Sequence, residues 1–181
     1  LAEYLTQDHP GVVTEEDGVT VRAAHGLHLF SGFFRSLISD IRLLQLAEQH
    51  LQSKCYVHQF KINTKRGVTG ESWPWHQDFI FWKEKDGIQK PDLLNVGIFL
   101  SDMTMLNGPL CVIPGSHKLG VLTEAKDPSG NSWDRDVAAN LSYQIERKNL
   151  ETIIDLQGLE YVLGGAGDVI FFDPMLAHWS I

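Results

Sequence analysis

Residues 73–79 read Trp73-Pro74-Trp75-His76-Gln77-Asp78-Phe79, and a further histidine, His178, follows far downstream. In an extended strand, side chains at i and i+2 leave the same face. The reading of this stretch as a strand therefore points His76 and Asp78 the same way. Two imidazoles and one carboxylate can hold one face of a ferrous ion and leave the opposite face open. An H-x-D triplet alone is common on protein surfaces. Here it lies among Trp73, Trp75, Phe79, Phe81 and Trp82, a wall of rings suited to excluding water. Bringing His178 to the triplet calls for a fold in which distant strands become neighbours, as they do in an antiparallel roll.

The surrounding chain fits such a roll. Cys55 to Asn63 has a period of two and is rich in strand formers. One face carries Cys55, Val57, Gln59, Lys61 and Asn63, which is either solvated or lines a polar cavity. Leu93–Leu100, Leu110–Ile113 and Val169–Phe172 read as apolar strands. They are separated by turn signals at Asp86-Gly87, Asn107-Gly108-Pro109 and Pro114-Gly115-Ser116-His117. His117 reads as a turn residue. Gly164-Gly165-Ala166-Gly167-Asp168 is a turn into a strand rather than a phosphate loop, because no Gly-Lys-Ser/Thr follows. Upstream, Ser31 to about Gln52 has helical apolar spacing at Phe34, Leu37, Ile38, Ile41, Leu44 and Leu46. Val19-Thr20-Val21-Arg22 alternates like a short strand. Arg22, His25 and His28 read first as a solvated loop, and second as a substrate-proximal loop in which Arg22 pairs with a carboxylate. Residues 119–160 form a polar insertion with a loop signal at Asp127-Pro128-Ser129-Gly130-Asn131 and a short helix from about 137 to 152. It is a lid over a site or a surface excursion. The expected architecture is mainly β, a double-stranded β-helix (jelly roll) with flanking helices. Residues 1–181 form a single domain, with the jelly-roll core over 55–181.

Charge excludes several function classes. Net charge is −8 and the isoelectric point about 5.4, against the basic face that nucleic acid requires and against an anionic membrane surface. No run approaches the roughly 20 apolar residues of a membrane span. Cys55 and Cys111 make neither a disulfide framework nor a C-x-x-C metal site. They read as two buried free thiols of a cytoplasmic protein. Leu1 is no initiator methionine and the chain stops at Ile181, just past His178, so both ends read as trimmed.

Six motifs occur in one order: Trp75-His76-Gln77-Asp78, Leu100-Ser101-Asp102, Asn107-Gly108-Pro109-Leu110, Ile113-Pro114-Gly115-Ser116-His117, Gly167-Asp168-Val169-Ile170-Phe171-Phe172 and His178-Trp179-Ser180. Together they resemble the phytanoyl-CoA dioxygenase superfamily of Fe(II)/2-oxoglutarate-dependent oxygenases. Cys55 to Gln59, Trp82 and Glu84 to Gly87 resemble ectoine hydroxylase. The longer match of Tyr56 to Arg66, with Trp75 to Phe79 and Asn95 to Asp102, resembles hydroxylases of free L-leucine and related aliphatic amino acids more closely.

The resemblance implies Fe(II) at His76, Asp78 and His178, with 2-oxoglutarate as cosubstrate and O2 as oxidant. It also implies Lys61, Asn63, Trp73 and Ser180 near 2-oxoglutarate, and Gln59 and Trp82 against substrate. Arg22 joins these through its own reading as a substrate contact. Lys61 stands where the ectoine branch has arginine, and a lysine still meets a carboxylate as a point charge. The family's arginine for the distal carboxylate of 2-oxoglutarate falls past Ile181. The related halogenases have a small residue in place of the carboxylate, so Asp78 favours hydroxylation. The implied activity is hydroxylation of an unactivated C–H in a free amino acid, L-leucine first and ectoine second. The partner is a small molecule, not nucleic acid or membrane. The competing class is a cupin-like binding module without oxygenase activity.

Overall fold

The structure, a computed structural model, describes residues 10–65, 72–125 and 141–180. The chain forms two compact units, Leu1–Gly70 and Glu71–Ile181.

In the first unit, β1 (Val12–Thr14), β2 (Val21–His25) and β3 (Lys61–Asn63) form an antiparallel sheet in that order. Between β2 and β3 run three helices, α1 (Leu27–Phe30), α2 (Gly32–Ile38) and α3 (Ile41–Leu51). The single helix expected from Ser31 to Gln52 is therefore broken. Asp40 takes extended backbone, φ −64° and ψ 123°, and its carboxylate accepts the Arg42 amide as an N-cap. Asp is a strong N-cap residue and starts a new helix there. The apolar spacing runs through the break, although Ile41–Leu51 has no fully buried residue, and spacing alone cannot see a cap. Gln52 ends α3 in the left-handed region, φ 53°. Ala24, Leu27, Phe34 and Ile62 form the core, with Leu37 and Phe60 packed against it.

Two further expectations change in this unit. Of the strand expected over Cys55–Asn63, only Lys61–Asn63 is laddered. Residues 55–60 lie outside any strand, and Tyr56 is 80% exposed. Strand-former composition rewards a pleated surface with neighbours, and these residues have no partner strand. Cys55 is half-buried and Cys111 buried, both as free thiols.

The second unit opens with β4 (Trp73–His76) and α4 (Phe79–Asp86), then β5 (Asn95–Ile98), β6 (Leu110–Val112) and a 3₁₀ turn at Ser116–Leu119. β7 (Thr123–Ala125), β8 (Tyr143–Ile145), α5 (Arg147–Gln157), β9 (Glu160–Val162), β10 (Val169–Phe172) and β11 (His178–Ser180) follow. The strands make a four-stranded sheet in the order β4-β11-β6-β9, and the pairs β10-β5 and β7-β8. Ile113, Ile145, Leu150, Ile153 and Ala177 form the core, with Trp75, Leu122 and Ile154 against it. β8 and α5, from the stretch expected as an insertion, thus contribute core residues. The helix expected over about 137–152 runs instead over Arg147–Gln157 and stops at Gly158, φ 75°. Its expected start near Val137 and the Asp127–Asn131 loop signal lie outside the described residues, as do Gly67 and Gly70. Among the described residues no helix is long and apolar enough to cross a membrane.

Candidate metal centre

β4 does not continue through Asp78, as the sequence reading expects. It stops at His76, and Asp78 is the N-cap residue of α4 with helical backbone, φ −68° and ψ −34°. The carboxylate meets His76 across a strand-to-helix turn, not along a pleat. His178 arrives by strand pairing: in the antiparallel β11–β4 ladder it stands directly opposite His76. Residues so paired share a face of the sheet, and their ring centroids lie 4.2 Å apart.

The three side chains converge. Asp78 Oδ1 lies 3.5 Å from His76 Nε2, and Asp78 Oδ2 lies 3.6 Å from His178 Nε2. One ligand atom from each residue falls within 4.8 Å of the others. Both histidines are buried, 4% and 5% exposed. Each is oriented the same way. His76 Nδ1 donates to the Pro74 carbonyl at 2.6 Å, and His178 Nδ1 donates to the Leu176 carbonyl at 2.8 Å. A carbonyl only accepts, so each Nδ1 carries a hydrogen, and each Nε2, the nitrogen left for a metal when the ring is neutral, faces Asp78. Two neutral imidazole nitrogens and one carboxylate are the donor set of a non-haem ferrous site. The backbone-anchored Nδ1 atoms are the outer support usual for metal-bound histidines. The residues fit the ion.

Aromatic edges close the centre, though not all those expected. Phe81 stands edge-on to His76, at 6.2 Å and 81°, and Tyr143 stands edge-on to Phe81, at 5.3 Å. Phe172 stands edge-on to His178, at 5.4 Å. Trp75 instead packs on the apolar core and against Trp179 at 6.0 Å. Trp73 and Phe79 are buried, and Trp82 is half-buried on α4. Trp73 pairs with Ser180 across β4 and β11, near the His76–His178 pair.

Three contributors lie outside the sequence reading. Asn95 donates from Nδ2 to Asp78 Oδ2 at 2.8 Å. Gln77, fully buried between two of the ligands, donates to the Gly120 carbonyl at 2.9 Å and the Met175 carbonyl at 2.6 Å, and accepts the Leu122 amide at 2.7 Å. Ser116 Oγ accepts the Ala177 amide at 2.8 Å, fixing the residue before His178. The available signals were a lone amide in the apolar run Leu93–Leu100, a polar residue inside the triplet, and the serine of the Pro-Gly-Ser-His turn.

The first unit holds the other expected residues. Lys61 and Asn63 lie two apart on β3, opposite His25 and Ala23, while exposed Gln59 precedes the strand. Burial and the nearby positive charge of Lys61 lower the His25 pKa to about 4. Arg22 departs from its loop reading. It lies within β2, 1% exposed, and its guanidinium pairs with Glu15 at 3.0 Å. A solvated loop would not hold a charge this deep; the strand pattern continues past Arg22, and the buried charge is matched by a carboxylate.

The family model described as phytanoyl-CoA dioxygenase matches residues 1–180. L-proline trans-4-hydroxylase of Streptomyces griseoviridis is 40% identical over 177 residues, covering 96% of this chain and 66% of the relative. Ectoine dioxygenase of Halomonas elongata is 34% identical, covering 93% of this chain and 50% of the relative. The crystal structure of EctD from S. alaskensis with 2-oxoglutarate and 5-hydroxyectoine superposes with a TM-score of 0.80 at 28% identity, covering 99% of this chain and 58% of that one. The same enzyme with bound Fe gives 0.80 at 30% identity. The chain thus spans about half to two thirds of the length of the relatives it matches. The fold is the expected one, mainly β, a double-stranded β-helix with flanking helices.

Proposed function

The chain belongs to the phytanoyl-CoA dioxygenase family, and from that premise we propose that it is an Fe(II)/2-oxoglutarate-dependent dioxygenase that hydroxylates an unactivated C–H of a small free amino acid. The observation that carries the reading is the buried convergence of His76, Asp78 and His178, with both Nε2 atoms facing the Asp78 carboxylate. The family model spans both compact units, which supports treating them as one oxygenase domain.

When bound, the metal, 2-oxoglutarate and O2 together supply the oxidising power that turns C–H into C–OH as 2-oxoglutarate becomes succinate and carbon dioxide. The protein's own part is placement and exclusion of water. His76, Asp78 and His178 are the residues that would hold the metal. Phe81, Tyr143 and Phe172 screen the ligands from solvent. Trp73 and Ser180 sit beside the ligand pair on the same two strands, which supports their assignment to the cosubstrate. Lys61 and Asn63, two apart on one strand, remain assigned to 2-oxoglutarate through the family resemblance. Gln59 and Trp82 remain assigned to substrate through the family resemblance. Arg22 reaches substrate only if it shares its charge with Glu15.

Among amino acids, likeness to an L-proline trans-4-hydroxylase and to ectoine dioxygenases moves the weight from L-leucine toward L-proline, with ectoine next. The test is a mass-spectrometric screen of L-proline, L-leucine, other free amino acids and ectoine for a gain of one oxygen dependent on 2-oxoglutarate and Fe(II). Oxygen gain in one of these with matching succinate supports the reading. Full binding of an amino acid with no 2-oxoglutarate turnover points to a binding module instead.

A further inference from the structure

Asp78 is in an unusual position for a metal ligand. An aspartate at a helix N-cap normally turns its carboxylate onto the amides of the first turn. Asp78 makes no such bond, although it is the N-cap residue of α4. Its carboxylate turns instead toward both imidazoles, and the group on its other side is the Asn95 amide, donating to Oδ2 at 2.8 Å.

The placement of Asn95 is equally specific. It is the first residue of β5 and stands directly opposite Phe172 of β10. Facing residues in an antiparallel ladder share a face. From that one register position, Asn95 reaches Asp78 and the Phe172 ring abuts His178. A second register position, His76 opposite His178, supplies the imidazoles. The centre is thus set by two cross-strand pairs, one giving ligands and one holding them.

We propose that Asn95 is a positioning residue of the metal centre, whose amide holds the Asp78 carboxylate toward His76 and His178 and away from the cap of α4. The inference rests on the metal-site reading above. An amide suits the role because it donates without adding charge: the carboxylate keeps its full negative charge for the metal. Without that donor, the helix cap and the metal compete for one carboxylate.

The test is an anaerobic Co(II) titration followed by the d–d absorbance of the bound ion, run on the wild-type chain, Asn95→Leu and Asn95→Ala. Leu keeps the volume and Ala removes it, so packing and hydrogen bonding are separated. Outer partners of metal ligands typically contribute 10–100-fold to metal affinity. Both variants are expected to bind Co(II) about 10–100-fold more weakly, with an altered d–d spectrum and a metal-free melting temperature close to wild type. A folded variant with wild-type affinity and spectrum overturns the role of Asn95 and leaves the centre standing. Two variants that fail to fold overturn it as well, because Asn95 is then structural. A wild-type chain that takes up no Co(II) overturns the centre itself, and this inference with it.

Discussion

Gln77→Leu tests how the centre is held together. Gln77 is fully buried and ties its own segment to two others: the Gly120 carbonyl and the Leu122 amide on one, and the Met175 carbonyl on the other, all bond to its side chain. Leucine has similar volume and no polar atoms, so the cavity term is small and three backbone groups lose their partner. Their surroundings set the cost. Gly120 is exposed and its carbonyl rehydrates. Met175 is 8% exposed and Leu122 half-buried, so their groups stay largely dry. At about 1–3 kcal/mol per buried unsatisfied group, two such groups cost about 2–6 kcal/mol. Apolar burial by the leucine returns about 1 kcal/mol. The expected loss is about 3 kcal/mol, or a fall in Tm of roughly 6–12 °C for a chain of this size. Urea unfolding of metal-free protein, with a thermal melt beside it, measures both. A loss below about 1 kcal/mol would show that the three bonds are replaced by water and that Gln77 does not fix the segment leading to His178.

Other perturbations separate the parts of the molecule. His25 is held neutral, mainly by burial and then by Lys61, with its pKa near 4 against 6.5 in the unfolded chain. The unfolded chain therefore takes up the proton first. Stability is full above pH 6.5 and falls as pH drops toward 4, by roughly 1–3 kcal/mol after discounting for the partial exposure of the ring. His25→Asn should flatten that slope in urea midpoints measured from pH 7 to 4, and an unchanged slope refutes the assignment. Glu15→Ala removes the carboxylate paired with the buried Arg22 guanidinium and should cost about 3 kcal/mol by urea unfolding; a neutral result would show that the pair does not hold Arg22 in place. Gly97→Ala puts a Cβ 2.9 Å from Cγ1 of Ile170, its partner across β5 and β10. The strain should cost about 1–2 kcal/mol and weaken metal binding through Asn95, whereas an unchanged metal affinity would uncouple that ladder from the centre.

The centre was legible in sequence because its chemistry is carried by residue type: two histidines and an aspartate in ordered motifs, with rings around them. The strands β6 and β10 were legible for the same reason, as short apolar runs between turn residues. What escaped was geometry fixed by competition. Asp78 was read as the next pleat of a strand, but the sequence after it starts a helix. Asp40 was read through as helix interior, although its side chain caps a new one. Residues 55–60 have strand composition and no partner to pair with. Asn95, Gln77 and Ser116 act through contacts 17 to 98 residues away in sequence, which no local period reveals.

The central claim is that His76, Asp78 and His178 form the iron centre of an amino-acid hydroxylase. The measurement that tests it most directly is ¹⁸O₂ labelling with Fe(II), 2-oxoglutarate and L-proline, read by mass spectrometry of succinate and amino acid together. One labelled oxygen in succinate and one in the hydroxylated amino acid are expected for the wild-type chain, and neither for Asp78→Ala. Label in both products from Asp78→Ala at the wild-type rate, or no labelled succinate from the wild-type chain with any amino acid in the screen, would contradict it.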